Sequence, residues 1–247
     1  MPIIMKFEDY PRKVYKRTFL NTVFVLLSYS VEDLSVQFIA ELNQFLRDIF
    51  NIQEDVSEET FKNGFSIDNE EKGVSYFFSA EHLGVKYMKD DYVSFPQTMM
   101  PLIYPIMSFL NNVMSNKIIE DIGIKKVNIW NAKLNQDKAF NEIRFAGDFL
   151  SADLITQAKA IDSEKSRDTH CFVGETESFE FIVQYGFLDR EFEDDKYCGL
   201  VLDECVKATK VPVEEVERVL LKENNTLYNI FHWSVSKKTL DYMNMEV

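Results

Sequence analysis

Glycine is scarce in this chain, eight among 247 residues, and so are proline at six and cysteine and histidine at three each. Eight scattered glycines build no G-x-G-x-x-G or G-x-x-x-x-G-K-[ST] loop, which excludes the common dinucleotide and phosphate cradles. Low Gly and Pro also exclude collagen-like and low-complexity readings. No solenoid-type repeat is present. Cys171, Cys198 and Cys205 form no C-x-x-C pair and leave one thiol over. No disulfide framework is expected, in keeping with a reducing cytoplasm. The N-terminal apolar run is too short for a signal peptide, and nowhere do 18 apolar residues run together.

His82, His170 and His232 share no metal-ligand spacing, and no H-E-x-x-H occurs. His170 and Cys171 are adjacent, so on a strand they point to opposite faces and cannot share one metal. Ser166, Asp168 and His170 contain the letters of a triad, but a working triad draws its members from separate elements. No G-x-S-x-G elbow accompanies them. Basic charge is also in deficit: 27 Lys and Arg face 41 Asp and Glu, a net charge of −14. Such a chain is poorly suited to phosphate backbones and to anionic membranes. Locally, Arg12, Lys13, Lys16 and Arg17 cluster and Lys125 adjoins Lys126. A nucleic-acid contact at the first patch is the exception that salt dependence would reveal.

Phenylalanine is abundant, with 21 residues, enough to fill a core, a set of strands or an interface. Phe19 to Tyr29 is an apolar, β-rich run with the pattern of a covered strand. Leu34, Phe38, Leu42, Phe45, Leu46 and Ile49 then recur at helical spacing, predicting a helix over 31–50 behind a Ser30 cap. Residues 54–59 read as an acidic loop or an exposed turn. Short strands are expected at 65–67, 74–79, 83–88 and 122–130. Pro96, Pro101 and Pro105 interrupt a helical pattern running to Met114, so a kink or late start is expected there. Strands are also expected at 142–150, 171–173, 179–187 and 200–208. A polar loop is expected at 162–169 and a long helix after Pro212, with an interruption near Asn224-Asn225 and a last turn capped by Ser236.

The resulting fold class is α+β. A ferredoxin-like, split βαβ N-terminal half (1–134) packs against a strand-rich second half (135–247) with a long C-terminal helix.

One carboxylate run, Asp189 to Asp195, invites a chemical reading. If extended, Glu191, Glu193 and Asp195 share a face and could hold Mg²⁺ or Ca²⁺, as a nuclease or nucleotidyltransferase requires. The plainer reading is a charged loop between strands. Tyr76, Phe78, Tyr87, Tyr92, Trp130 and Trp233 are candidates for an interaction surface. Acids flank the first four, which counts against base stacking.

Four segments carry a resemblance: Arg12-Lys-Val-Tyr15-Lys-Arg-Thr-Phe-Leu-Asn-Thr-Val, Leu83-Gly-Val-Lys-Tyr-Met with Tyr92-Val-Ser-Phe, Ile122-Gly-Ile-Lys-Lys-Val-Asn-Ile-Trp130, and Phe231-His-Trp-Ser-Val-Ser236. Together they resemble a sporadically distributed prokaryotic family of about this length with no established activity. Ile124-Lys125 departs from the family's aliphatic-arginine pair, and the three prolines depart from its second helix. A patchy distribution implies mobile or accessory genes of the toxin–antitoxin, immunity or phage-defence kind.

The chain therefore reads as a cytoplasmic, non-enzymatic acidic protein that docks a basic protein, with a homo-oligomer left open. No cofactor and no membrane association is expected. The competing reading is a metal-dependent enzyme built on the 189–195 carboxylates. Docking requires an apolar surface patch bordered by acids.

Overall fold

The computed structural model describes residues 4–13, 15, 17–29, 36–114, 117–134, 140–161, 167–192 and 195–245. Helices and strands are mixed, with a large antiparallel sheet and a C-terminal helix. The strands are β1 (Leu20–Ser28), β2 (Phe65–Asn69), β3 (Val74–Phe78), β4 (His82–Tyr87), β5 (Ile118–Lys133), β6 (Lys159–Ile161), β7 (Arg167–Glu175), β8 (Glu180–Phe192) and β9 (Asp195–Pro212). The helices are α1 (Val36–Phe50), α2 (Glu58–Asn63), α3 (Met100–Val113), α4 (Glu142–Phe149), α5 (Ala152–Gln157), α6 (Val216–Ser234) and α7 (Lys237–Met243). Strand order is β2-β3-β4-β1-β5-β9-β8-β7-β6. None of the described helices is long and apolar enough to cross a membrane.

The chain divides into two compact units, one of Thr22–Ile124 with Lys207–Asn224, the other of Met1–Asn21, Lys125–Val206 and Asn225–Val247. In the first, Val23, Val25 and Leu27 of β1 stand opposite Tyr87, Val85 and Leu83 of β4 and are buried with them. Alternate residues point to opposite sides of a strand, so this register gives the sheet one apolar inner face. Phe38, Leu42 and Leu46 supply the buried stripe of α1, and Ile103, Ile106, Phe109 and Leu110 that of α3. Phe45 stacks on Phe109 with centroids 4.8 Å apart, and Phe38 meets the same ring edge-on at 5.8 Å. Buried Asn43 clasps the following loop, donating to Val56 O at 3.1 Å and accepting from Val56 N at 2.8 Å.

The three prolines are accommodated by a widened start to α3. Phe95–Met99 forms a π-helical turn capped by Ser94, and the Met100 N–H donates to Phe95 O. In an α-helix a proline ring collides with the carbonyl four residues back. The wider turn before Pro101 relieves that collision, Pro96 falls in a first turn, and only Pro105 lies in the α3 interior.

In the second unit, Phe181, Val183, Tyr185 and Phe187 of β8 face inward with Leu200 and Leu202 of β9, and α6 contributes Leu227 and Ile230. Trp130 is buried against Phe19 and Phe149. The segment expected as a strand at 142–150 is the helix α4 instead. Asn141 caps it, accepting from Arg144 N at 2.9 Å, and Phe145 meets Phe149 one turn on at 5.2 Å. The cap and the i,i+4 aromatic pair outweigh the apparent alternation of Ile143, Phe145 and Phe149. Residues 58–59 likewise open α2 behind a Ser57 cap and are not part of a turn. The helix α6 runs through Asn224 and Asn225 without a break, and Ser236 caps α7. Ser30 and residues 31–35 lie outside the described residues, as do 162–166; the remainder of the loop expected there, 167–169, is the start of β7 instead.

Candidate functional site

The carboxylates singled out in the sequence sit where β8 ends and β9 begins. Glu191 lies 3.8 Å from Lys196, and Asp195 pairs with Lys133. Glu193 lies outside the described residues. A groove of about 480 Å³ opens here, lined by Leu134, Asp189, Arg190, Glu191, Lys196 and Tyr197. Arg190 donates to Asn131 at 3.2 Å. The lining therefore mixes both charges, and among the described residues no group of three His, Cys, Asp or Glu converges as a metal site would need.

The aromatic candidates lie mainly in cores. Phe78, Tyr87 and Trp130 are buried. Tyr76 is half-buried and meets Phe50 at 4.6 Å, while half-buried Trp233 contacts Phe7 and Phe172. Half-buried Tyr92 lies 6.1 Å from Tyr87, whose phenol is pushed up to about 12 by burial and by its bond to Asp91.

Arg12 and Lys13 belong to an N-terminal strap laid along α6. Tyr10 N donates to Asn229, Lys13 N donates to the Tyr228 hydroxyl at 3.1 Å, and that hydroxyl donates to Pro11 O at 3.2 Å. The Arg12 guanidinium lies 4.2 Å above the Tyr228 ring and also bonds Asn225. His232 sits at the centre, stacked on Tyr10 at 4.4 Å and hydrogen-bonded to the Tyr15 hydroxyl at 2.7 Å. Burial, with Lys13 and Arg12 adding repulsion, holds its imidazole below the usual pKa. This arrangement commits the Arg12 guanidinium to the fold, whereas Lys13 contributes its backbone N–H. Lys16 lies outside the described residues, and Arg17 packs over Tyr242.

Of the other histidines, His82 bonds Ser28 at 2.9 Å and His170 stacks on Tyr185 at 4.8 Å. Behind the sheet of the second unit, Glu204 is buried on the inner side of β9. Its acid is pushed up to about 8 by burial, against the pull of Ser234 and Lys126 and with Asp203 adding to it. Lys126 on β5 is lowered to about 8 by burial and by Arg12. In the first unit, burial pushes Glu223 up to about 9.

A different surface has the composition of a docking face. On the solvent side of β7 and β8, Val173 stands opposite Ile182 and Glu175 opposite Glu180, and the neighbouring row is Lys159–Cys171–Gln184. Val173 is 59% and Ile182 39% exposed, and Ile161 of β6 lies on the same side. Thr176 N donates to Phe179 O at 2.7 Å, closing the hairpin. Glu175–Glu180 and Val173–Ile182 are consequently non-hydrogen-bonded pairs, the kind whose side chains approach most closely. The turn adds Glu177. None of these three acids takes part in an ion pair among the described residues. The signal was present in the sequence as an apolar Ile182 between Glu180 and Gln184, on the face where alternation calls for a polar residue.

Compared with known proteins, the chain matches no family model, and no curated protein matches it.

Proposed function

We propose that this chain is a non-catalytic binding protein that docks a basic protein through the solvent side of β7 and β8. The observation carrying this reading is the exposed Val173–Ile182 pair bordered by Glu175, Glu177 and Glu180. An exposed apolar pair supplies the dry centre of an interface and an acidic rim selects a basic partner. The chain's net charge of −14 draws such a partner in from a distance. The likeness to a patchily distributed prokaryotic family sets this partner in an antitoxin, immunity or phage-defence context. No disulfide joins Cys171, Cys198 and Cys205, which is compatible with a cytoplasmic address. The order β3-β4-β1-β5, with an extra strand at one edge, supports reading the first unit as ferredoxin-like.

The carboxylate reading has less behind it, because Glu191 and Asp195 already face lysines.

The test is purification of tagged chain from its own host, in parallel with the double variant Val173→Lys/Ile182→Lys. A basic protein bound in stoichiometric amount, shed in high salt and lost from the double variant, supports docking at this face. Retention of that partner by the double variant, or a wild-type chain that comes through alone, overturns it. In the second case Mg²⁺ titration of wild type against Glu191→Gln/Asp195→Asn becomes the next measurement.

A further inference from the structure

The first unit presents a second open sheet face of quite different charge. On the solvent side of β2, β3, β4 and β1 the register places Ser66 beside Phe77, Phe77 beside Gly84, and Gly84 beside Leu26. The next row runs Asp68, Ser75, Lys86, Phe24. Gly84 is what allows this surface to be apolar. A Cβ there would stand 3.0 Å from the Phe24 ring, which leans into the space glycine leaves. Phe77 is 39% exposed, and Phe24 and Leu26 are half-buried. Aromatic and branched residues on the free side of an antiparallel sheet are unusual unless something covers them.

Charge decides what covers them. Asp68 and Lys86 lie in the same row two strands apart, roughly 10 Å at the usual strand spacing. They are not paired within one copy, and neither has an ion partner among the described residues. The row is thus neutral as a whole but holds one unmatched charge of each sign. A two-fold axis running along β3 lays Lys86 of one copy over Asp68 of the other and the reverse, and brings Phe77 against its own counterpart. Isologous interfaces require this reciprocity, in which residue i meets j and j meets i. On a chain carrying −14 overall, a neutral, self-complementary face is where two copies can meet with least repulsion. A basic partner finds no acidic excess here, unlike on β7 and β8.

We propose that the face formed by Phe24, Leu26, Phe77 and Gly84, flanked by Asp68 and Lys86, is a homodimer interface in which two sheets pack face to face. Four strands give a patch about 19 Å wide, near the low end of specific interfaces.

Sedimentation equilibrium of the full chain at about 100 μM tests this. Wild type is expected to be dimeric and Phe77→Lys monomeric, with the dissociation constant raised at least about tenfold. Lys86→Asp and Asp68→Lys each weaken the dimer several-fold, and the double exchange Lys86→Asp/Asp68→Lys restores it. Mixing the two single variants sets Asp against Lys at both contacts, so a heterodimer is expected to form where neither variant dimerises well alone. A monomeric wild type, or a dimer indifferent to Phe77→Lys and to both charge reversals, overturns the proposal. If Phe77→Lys melts early, the charge exchange alone decides.

Discussion

Glu175 and Glu180 stand directly opposite one another across β7 and β8, and neither has an ion partner among the described residues. Like charges at a non-hydrogen-bonded position repel, by several tenths of a kcal/mol. Replacing one of them therefore stabilises the isolated chain while weakening any basic partner's hold. Glu180→Gln is expected to raise the urea midpoint slightly, by the equivalent of about 0.5 kcal/mol. An unchanged or lower midpoint would show that the two carboxylates do not strain the free protein.

Glu204 and Glu223 give stability a pH slope. Burial raises them to about 8 and about 9, above the ordinary glutamate value near 4.3. The folded state then binds more protons than the unfolded state, so stability is greatest below about pH 4.3 on their account. It falls as pH climbs through the folded values of these two groups. Lys126, lowered to about 8, works in the opposite sense, but only above that pH. Urea midpoints at pH 5, 7 and 8.5 are expected to decline in wild type and to flatten in Glu204→Gln/Glu223→Gln. A wild-type profile that rises over this interval would show both acids ionised in the fold.

His232 should titrate low. Its ring accepts or donates at Tyr15 while Lys13 and Arg12 oppose a positive charge there. An NMR titration is expected to place it below the reference value of about 6.5. Lys13→Ala should move it upward. With the folded pKa lowered, its contribution to stability is lost as pH falls. Tyr15→Phe removes the hydrogen bond and should cost about 1 kcal/mol in chemical denaturation. A titration indifferent to Lys13→Ala would disconnect the strap from this histidine.

Phe78 is fully buried among Phe45, Phe50 and Phe65. Phe78→Ala should cost about 3–5 kcal/mol, whereas Phe77→Ala next to it should cost much less because its ring is partly in water. Equal losses at 77 and 78 would mean that the register of β3 is not the one described.

Local structure was legible wherever one face of an element is buried. The stripe Phe38, Leu42, Leu46 announced α1, and the runs at Val74 and Leu83 announced β3 and β4, because burial imposes a period of 3.6 or 2 on the sequence. The segment at 142–150 misled because Ile143, Phe145, Gly147 and Phe149 satisfy both periods, and the Asn141 cap with the Phe145–Phe149 pair decides between them. The aromatic candidates show a deeper limit. Tyr76, Phe78 and Trp130 were marked by residue type alone, and type does not say which side of a strand faces water. The exposed apolar pair on β7 and β8 escaped notice for the converse reason. Val173 and Ile182 look like ordinary strand residues until the hairpin register puts them side by side with two glutamates.

The π-helical turn at Phe95–Met99 holds one residue more than an α-helical start would need. In evolutionary terms it has the form of a single-residue insertion absorbed on the spot, since Ile103, Ile106 and Leu110 still share one buried side downstream. Length variation among related chains is therefore tolerable at this point in a way it would not be inside α3. A chain one residue shorter here could enter α3 through an ordinary turn, provided that Pro101 had been exchanged as well.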